Sequence, residues 1–241
     1  MMFAKAVRRS SKGKSEGEKP FWISYADLMT AMMTLFLAAM AVTMVAITHK
    51  VRQVENKEVV RAQQIKQICS NIQGRLAGDG VVKVDCEDNR ISFGEAGRFG
   101  HDDYHLPSAA GPALARLVPV VLQAADDPLG RKWLKQVVIE GFTDTDGSYL
   151  YNLHLSLERS EWVMCLLLDP QRNTDLSLTP QQLQRVRDLF LAGGVSFNGA
   201  KSTKDASRRV ELKLQFYGSD TDSSQAKPVF QVTATDRCML R

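Results

Sequence analysis

The sequence lacks the residue spacings typical of zinc sites, nucleic-acid-binding surfaces and catalytic centres. Its four cysteines form no C-x-x-C pair and no cysteine–histidine spacing suited to zinc. The net charge is a mild +4, and no basic stripe with interleaved aromatic residues follows the N-terminus. Asp144, Asp146 and His154 form no convincing nucleophile–base pair. We therefore expect no enzyme activity, no metal, no cofactor and no direct contact with nucleic acid.

Charge is almost absent between Phe21 and Thr48, where Asp27 is the one charged residue. A helix needs about 20 apolar residues to cross a hydrocarbon core of roughly 30 Å, and this run is long enough. Phe21, Trp22 and Tyr25 cluster at its start, as in an aromatic belt. A cleaved signal peptide is the alternative, but the run is long for one and lacks an A-x-A end. The pattern favours a retained transmembrane helix over 21–48.

The N-terminal tail, residues 1–20, is basic and has few apolar residues. It holds six lysines and arginines against Glu16 and Glu18. Lysine and arginine beside a membrane span prefer the cytoplasm. The segment after Thr48 is also basic, but Glu55 and Glu58 offset part of its positive charge. The sequence therefore predicts a single-pass protein of a bacterial inner membrane, with a cytoplasmic N-terminus and a periplasmic C-terminal part.

All four cysteines follow the apolar run, which fits an oxidising compartment. Four cysteines allow three connectivities. We favour Cys69–Cys86 and Cys165–Cys238, because each would tie a peripheral segment to the core. Four buried free thiols are the alternative.

Asp27 is energetically unfavourable within the apolar run, because inserting an acidic side chain at the centre of a transmembrane helix costs about 2.5–3.5 kcal/mol. Asp27, Thr30, Ala31 and Thr34 share one small, polar helix face, with Tyr25 near its start. One helix cannot enclose a carboxylate, so a partner with more helices is implied. The residues alone leave a second interpretation open, in which Asp27 caps the helix start near cytoplasmic water.

The segment FWISYADLMTAMMTLFLAAM resembles the single transmembrane helix of MotB-type stator subunits of ion-driven bacterial motors. In that family the matching aspartate binds the ion, so the resemblance implies that Asp27 is the ion-translocating carboxylate. Tyr25, Thr30 and Thr34 are then expected to support the ion path. A carboxylate with few further oxygen ligands favours H⁺ over Na⁺. Neutralisation of Asp27 would change how the helix packs on its partner.

Residues 49–80 carry many charges and have partial helical periodicity before Gly74, Gly78 and Gly80. We expect a periplasmic linker helix that continues from the membrane. MotB-type proteins have a plug segment here that blocks leakage, and a plain spacer helix is the alternative.

Residues 81–241 predict an α+β domain, an α/β sandwich of alternating strands and helices. Strands are expected over 81–85, 90–93, 136–142 and 208–216. Helices are expected around Leu114–Leu122, over 152–168 and over 179–192, with Thr179 as a cap and Pro180 in the first turn.

Asp144 and Arg159 are placed to converge where the strand 136–142 ends and the next helix starts. Asn152, Leu155 and Arg159 share one face of that helix. Asp144 can accept hydrogen bonds from an ammonium group and Arg159 can hold a carboxylate, which suits a zwitterionic ligand. A structural salt bridge between the two is the alternative.

The segment GFTDTDGSYLYNLHLSLERSEWV resembles the OmpA-like peptidoglycan-binding motif. The resemblance implies that Asp144 and Arg159 contact the diaminopimelate of the peptide stem, with Thr143 beside it. Asn152 and Leu155 would support the loop and the pocket. The match of the segment SRRVEL with the family's terminal motif adds Arg208. Phe142 departs from the family, which has histidine there.

Both motifs together indicate a MotB-like stator subunit with a cell-wall anchor. Such a subunit is expected to form a homodimer within a hetero-oligomer. The short linker and the FW-x-SYADLMT start resemble the ZorB family of the Zorya anti-phage systems, whose ZorA partner supplies the surrounding helices as MotA does in flagellar motors. A flagellar stator subunit and a passive cell-wall tether are the alternatives.

Overall fold

The computed structural model describes residues 21–78, 80–169, 171–172, 175–219 and 237–240, and side chains from Tyr25 onward. The basic tail predicted over 1–20 lies outside the described residues. The chain divides into a first unit that ends at Asn56 and a second unit, Lys57–Arg241. The two units are described separately below.

The described part begins with one long helix, α1, Phe21–Arg75. Its first half, in the first unit, carries the apolar run. Every described side chain from Tyr25 to Lys57 is exposed, as expected of a helix whose apolar surface has no partner within its own chain.

The end of α1 belongs to the second unit, because Ile68, Ile72 and Leu76 are buried in its core. Ile68 and Ile72 lie four residues apart, and Leu76 lies four beyond, so they follow one helix face. The compact unit thus begins at Lys57, whereas the sequence pattern predicts a linker as far as residue 80. The helix ends at Arg75, beside the glycines expected to break it.

The second unit continues as an α/β sandwich with a five-stranded sheet in the order β1-β2-β5-β3-β4. The pairs are antiparallel except β3 with β4, which are parallel. The elements after α1 are β1 Lys83–Asp85, β2 Arg90–Ser92, a 3₁₀ turn Gly94–Gly97, α2 Ala110–Asp126, α3 Pro128–Trp133, β3 Leu134–Gly141, α4 Tyr149–Leu168, α5 Pro180–Leu189, β4 Phe190–Gly194, α6 Lys204–Ser207 and β5 Val210–Phe216. The α+β fold class predicted from the sequence is confirmed.

One face of the sheet forms the core and the other stays polar. Val137 and Ile139 on β3 and Leu212 on β5 are fully buried. Alternate residues of these strands lie on the opposite face, where Glu140 on β3 and Glu211 on β5 form salt bridges with Arg90. Alternation with period two therefore separates the apolar core from a charged outer face.

The predicted helix over 179–192 is wrong at its C-terminal end. Thr179 and Gln182 form the capping box that starts α5, but α5 ends at Leu189 and Phe190–Gly194 is strand β4. β4 pairs with β3 in register, Val137 opposite Phe190. Parallel pairing with β3 at the edge of the sheet overrides the local helical pattern, because strand formation depends on neighbours distant in sequence.

Both predicted disulfides are present. Cys69 on α1 is bonded to Cys86 after β1, and Cys165 on α4 is bonded to Cys238 near the C-terminus. Their sequence separations are 17 and 73. Chain-entropy arguments give about 3 and about 4 kcal/mol of stabilisation for loops of these lengths. The second bond fixes part of the tail on α4, as the sequence predicts.

Candidate functional sites

Asp27 lies on the exposed apolar part of α1, which is long and apolar enough to cross a membrane, with a mean hydropathy of 2.1 in its most apolar window. Within the described residues, no side chain or backbone group donates a hydrogen bond to the Asp27 carboxylate. The carboxylate is therefore available to a ligand or to a partner subunit.

The threonines near Asp27 satisfy their own hydroxyl hydrogens within the helix. Thr30 donates to the carbonyl oxygen of Asp27 at 2.9 Å, and Thr34 donates to that of Ala31 at 2.9 Å. A hydroxyl that donates in this way keeps its oxygen lone pairs free. Thr30 and Thr34 can thus sit in apolar surroundings while offering oxygen atoms on the same face as Asp27. Tyr25 is also exposed there.

A cavity of about 200 Å³, which we call the Asp144 pocket, lies in the second unit where β3 meets α4. Its lining residues are His101, Asp102, Thr143, Asp144, Asp146, Gly147, Tyr151, Asn152, Leu155 and Arg159. Gly141 and Gly194 let the strands approach α4, since a Cβ on either would overlap Ser156. This close approach brings the end of β3 against the face of α4 that carries Asn152, Leu155 and Arg159.

Asp144 is a buried carboxylate held in its ionised form. Its Oδ2 accepts a hydrogen bond from Nη1 of Arg208 at 3.0 Å, and its Oδ1 accepts from the amide of Asp146 at 3.1 Å. Burial raises the pKa of Asp144, but the Asp146 amide and the Arg208 guanidinium together outweigh it, so the pKa lies below its usual value. Asp144 is therefore negatively charged at neutral pH.

Arg159 is completely buried and forms hydrogen bonds to backbone carbonyls. Its Nε donates to Asp103, Nη1 to Phe142 and Nη2 to Gly100, at 2.8, 2.8 and 3.0 Å. Burial lowers the pKa of Arg159 to about 10, with Asp144 acting in the opposite direction. A guanidinium has five N–H donors, so two remain for other acceptors. Arg159 thus holds the Gly100–Asp103 loop in place and remains a cation in the pocket.

Asn152 and Thr143 complete the predicted set. Asn152 donates to the carbonyls of Asp146 and Ser148 at 2.7 and 3.1 Å, which ties the loop after β3 to the start of α4. The Thr143 hydroxyl is buried and has no hydrogen-bond partner among the described residues. A buried, unpaired hydroxyl is costly, so it marks a position where a ligand group can bind.

The structure brings Thr143, Asp144, Asn152, Leu155 and Arg159 together around one cavity, as the motif predicts. Arg208 reaches the same place from the start of β5. However, the cation bonded to Asp144 is Arg208, at 3.0 Å, and the three hydrogen bonds of Arg159 described above go to backbone oxygens. The alternative of a direct Asp144–Arg159 salt bridge is therefore not the arrangement found.

The sequence pattern does not single out His101, Asp102 or Tyr151 as pocket residues. Tyr151 donates a hydrogen bond to Asp102, which joins the loop before α2 to α4. These residues come from segments far apart in the chain and follow no periodicity that could have identified them. The one available signal is the acidic and histidine-containing cluster at His101–Asp103.

Phe142, which replaces the histidine of the resembled motif, faces away from these contacts. The guanidinium carbon of Arg209 lies 4.0 Å from the centroid of the Phe142 ring, and the guanidinium carbon of Arg90 lies 5.8 Å from it. Aromatic rings attract such cations, and Phe142 is buried. The substitution therefore supports the charged outer face of the sheet.

Comparisons of the sequence with known proteins identify a family and a close relative. A family model described as the membrane MotB of the proton-channel complex MotA/MotB matches residues 5–54. The Zorya protein ZorB of Escherichia coli is 51% identical over 229 residues, which is 95% of this chain and 93% of that protein.

Solved structures resemble the chain more distantly. A MotB-like protein from Desulfovibrio vulgaris is 17% identical, covers 66% of this chain and 94% of its own, and has a TM-score of 0.41. The cell-wall anchor of the type VI secretion system from Pseudomonas aeruginosa is 20% identical over 62% of this chain and 97% of its own, with a TM-score of 0.36. These likenesses are too distant to support an argument about function.

Proposed function

The chain belongs to the ZorB family, and we propose that it is a peptidoglycan-anchored, ion-translocating subunit of an inner-membrane motor in anti-phage defence. The supporting observation is that one chain carries two distinct carboxylates. One is a lone carboxylate on an exposed apolar helix, and the other is buried in a polar pocket. The proposed role is transport and anchoring, without catalysis. The N-terminus is cytoplasmic and the second unit periplasmic, which agrees with its two disulfides.

Asp27 is the proposed ion carrier. A charged carboxylate in a membrane usually faces a bundle interior or a water-filled path, and α1 offers no described partner for it. A multi-helix subunit of the ZorA or MotA kind would therefore enclose Asp27, with two copies of this chain in the assembly. Each elementary charge that crosses yields about 2.3 kcal/mol per 100 mV. Because few other oxygen ligands surround Asp27, the proposed ion is H⁺.

The Asp144 pocket is the proposed wall anchor. Asp144 can accept hydrogen bonds from the ammonium group of the diaminopimelate stem. The remaining donors of Arg159, with Arg208 nearby, can hold its carboxylate. The unpaired Thr143 hydroxyl provides a further contact. Burial strengthens each of these interactions relative to water.

Replacing Asp27 tests the transport proposal. Asp27→Asn keeps the side-chain volume but cannot gain and lose a cation, so phage protection should fall to that of cells without the system, as counted by plaques. Thr43→Val, on the same helix, should protect like the wild type. Full protection by Asp27→Asn with normal assembly would instead support a passive tether.

Replacing Asp144 tests the anchor. Asp144→Asn removes the charge that would bind the ammonium group, so retention of the detergent-solubilised chain on purified sacculi should fall at least about tenfold, the loss of one charge-assisted contact. Asp126→Asn, outside the pocket, is the matched control. Equal retention of both variants would exclude the Asp144 pocket as the anchor.

A further inference from the structure

Three side chains that can bind a metal ion meet at the Asp144 pocket. Ligand atoms of His101, Asp144 and Asp146 all lie within 4.8 Å of one another. His101 belongs to the loop before α2, and the two aspartates follow β3. The His101 Nε2 lies 3.8 Å from Oδ2 of Asp146, which is longer than a hydrogen bond. The sequence predicts no metal here, because these ligands come from distant segments.

Thr143 provides an independent observation at the same cavity. Its hydroxyl oxygen is buried and has no partner among the described residues, and Thr143 lines the cavity together with the three ligands. A buried hydroxyl without a partner is rare, because it gives up its hydrogen bonds to water without replacing them. A metal-bound water in the cavity would give this hydroxyl a hydrogen-bond partner.

Side-chain cations already contact both aspartates, Arg208 at Asp144 and Lys204 at Asp146. The Lys204 ammonium contacts both carboxylate oxygens of Asp146, at 2.6 and 2.8 Å. The Lys204 side chain is 59% exposed, so it can move into solvent when another cation arrives. His101 is also largely exposed, with a 69% exposed side chain. Both groups can therefore rearrange without disturbing the core.

We propose that His101, Asp144 and Asp146 form a site for a divalent transition-metal ion such as Zn²⁺. Imidazole nitrogen and carboxylate oxygen atoms bind Zn²⁺ at about 2.0–2.2 Å, so tetrahedral ligands lie about 3.3 Å apart. The separation of 3.8 Å between Nε2 of His101 and Oδ2 of Asp146 exceeds this value by about 0.5 Å, and the exposed His101 side chain can move to close that difference. Three protein ligands leave the fourth position to water.

Metal binding would compete with the proposed wall ligand, a consequence that rests on the proposed function. Asp144 is shared, and a carboxylate bound to Zn²⁺ cannot also neutralise an ammonium group at the same oxygen atoms. The metal would thus release the domain from peptidoglycan.

Zinc titration of the full chain in detergent micelles tests the site itself. Calorimetry should give saturable binding that weakens at least about tenfold in His101→Gln and in Asp146→Asn, since each loses one of three ligands. His154→Gln is the matched control, because His154 is an exposed histidine on α4, outside the pocket. Unchanged affinity in both His101→Gln and Asp146→Asn would overturn the site, whatever the chain does with peptidoglycan.

Sacculus retention with Zn²⁺ or with EDTA tests the competition. The wild type and His154→Gln should be retained at least about fivefold less with Zn²⁺ than with EDTA, whereas His101→Gln should show the same retention in both. Equal wild-type retention in both buffers would overturn the competition. Absence of wild-type retention in EDTA would instead contradict the anchor and leave the calorimetric result standing.

Discussion

The two aspartates on which the proposed function depends lie in opposite surroundings. Asp144 is buried and receives hydrogen bonds from Arg208 and from the backbone of Asp146. Asp27 is exposed on an apolar helix, and no described residue donates to its carboxylate. The second unit thus satisfies its carboxylate within the chain. The first unit leaves its carboxylate without a donor among the described residues, and the proposed function assigns it to a partner subunit.

The two halves of α1 show the same difference in their apolar residues. From Tyr25 to Lys57 every described side chain is exposed, whereas Ile68 and Ile72 are buried four residues apart. A helix that is apolar all round needs a surrounding partner or lipid, and one with an apolar stripe packs on its own domain. Among the described residues, one continuous helix therefore packs on its own chain only along its second half.

Removing Arg159 should produce the largest loss of stability in the second unit. Arg159→Ala removes a fully buried side chain and leaves the carbonyls of Gly100, Phe142 and Asp103 without their donor, so we expect it to cost about 3–5 kcal/mol. This corresponds to a fall of roughly 10 °C in Tm for a unit of this size, measured by thermal unfolding of the full chain in detergent. Arg159→Lys, which keeps one charge but not the planar fork, should lie in between. If the Tm of Arg159→Ala lay within about 2 °C of the wild type, Arg159 would not stabilise the fold, and its role would be limited to ligand binding.

A matched pair of substitutions on α1 sharpens the comparison between its halves. Ile72 is fully buried and Val45 is 58% exposed. Ile72→Ala should destabilise the second unit by about 2–5 kcal/mol, because it opens a cavity. Val45→Ala should change the free energy of unfolding of the second unit by less than about 0.5 kcal/mol. Similar urea midpoints for both variants would contradict the division of α1 into two regions.

The sequence predicted most of the second unit because its patterns are local. A run of β-branched residues marked β3, alternation marked β5, helical spacing marked α2 and α4, and Thr179 with Pro180 marked the start of α5. It missed β4, because Phe190–Gly194 becomes a strand only by pairing with β3. It also gave no sign that Ile68 and Ile72 are buried in the core, since this burial depends on residues far along the chain.

The pocket was predictable only in part. The motif GFTD with Asn152, Leu155 and Arg159 located one wall, because strand end and helix face are both local. His101, Asp102 and Tyr151 were missed, since a separate loop brings the first two to α4. The bond from Arg208 to Asp144 also depends on tertiary structure, because the two residues lie in different elements.

The smallest expected effect concerns the pH dependence of Asp144. The pKa of Asp144 lies below its ordinary value of 3.8, so its ionised form stabilises the fold. This contribution is complete above that value and is lost as the pH falls through the lower, folded pKa. Urea midpoints measured from neutral to acidic pH should therefore show a flatter acid limb for Asp144→Asn than for Asp126→Asn. Parallel acid limbs would remove Asp144 as a stabilising carboxylate.

Ion flux through the assembled complex tests the central claim most directly. The chain and its multi-helix partner would be reconstituted into liposomes that contain a pH-sensitive dye, and a membrane potential would be imposed. The wild type should change the internal pH in response to the potential, and Asp27→Asn should match protein-free liposomes. A flux in Asp27→Asn equal to that of the wild type would show that the carboxylate in the apolar helix does not carry the ion.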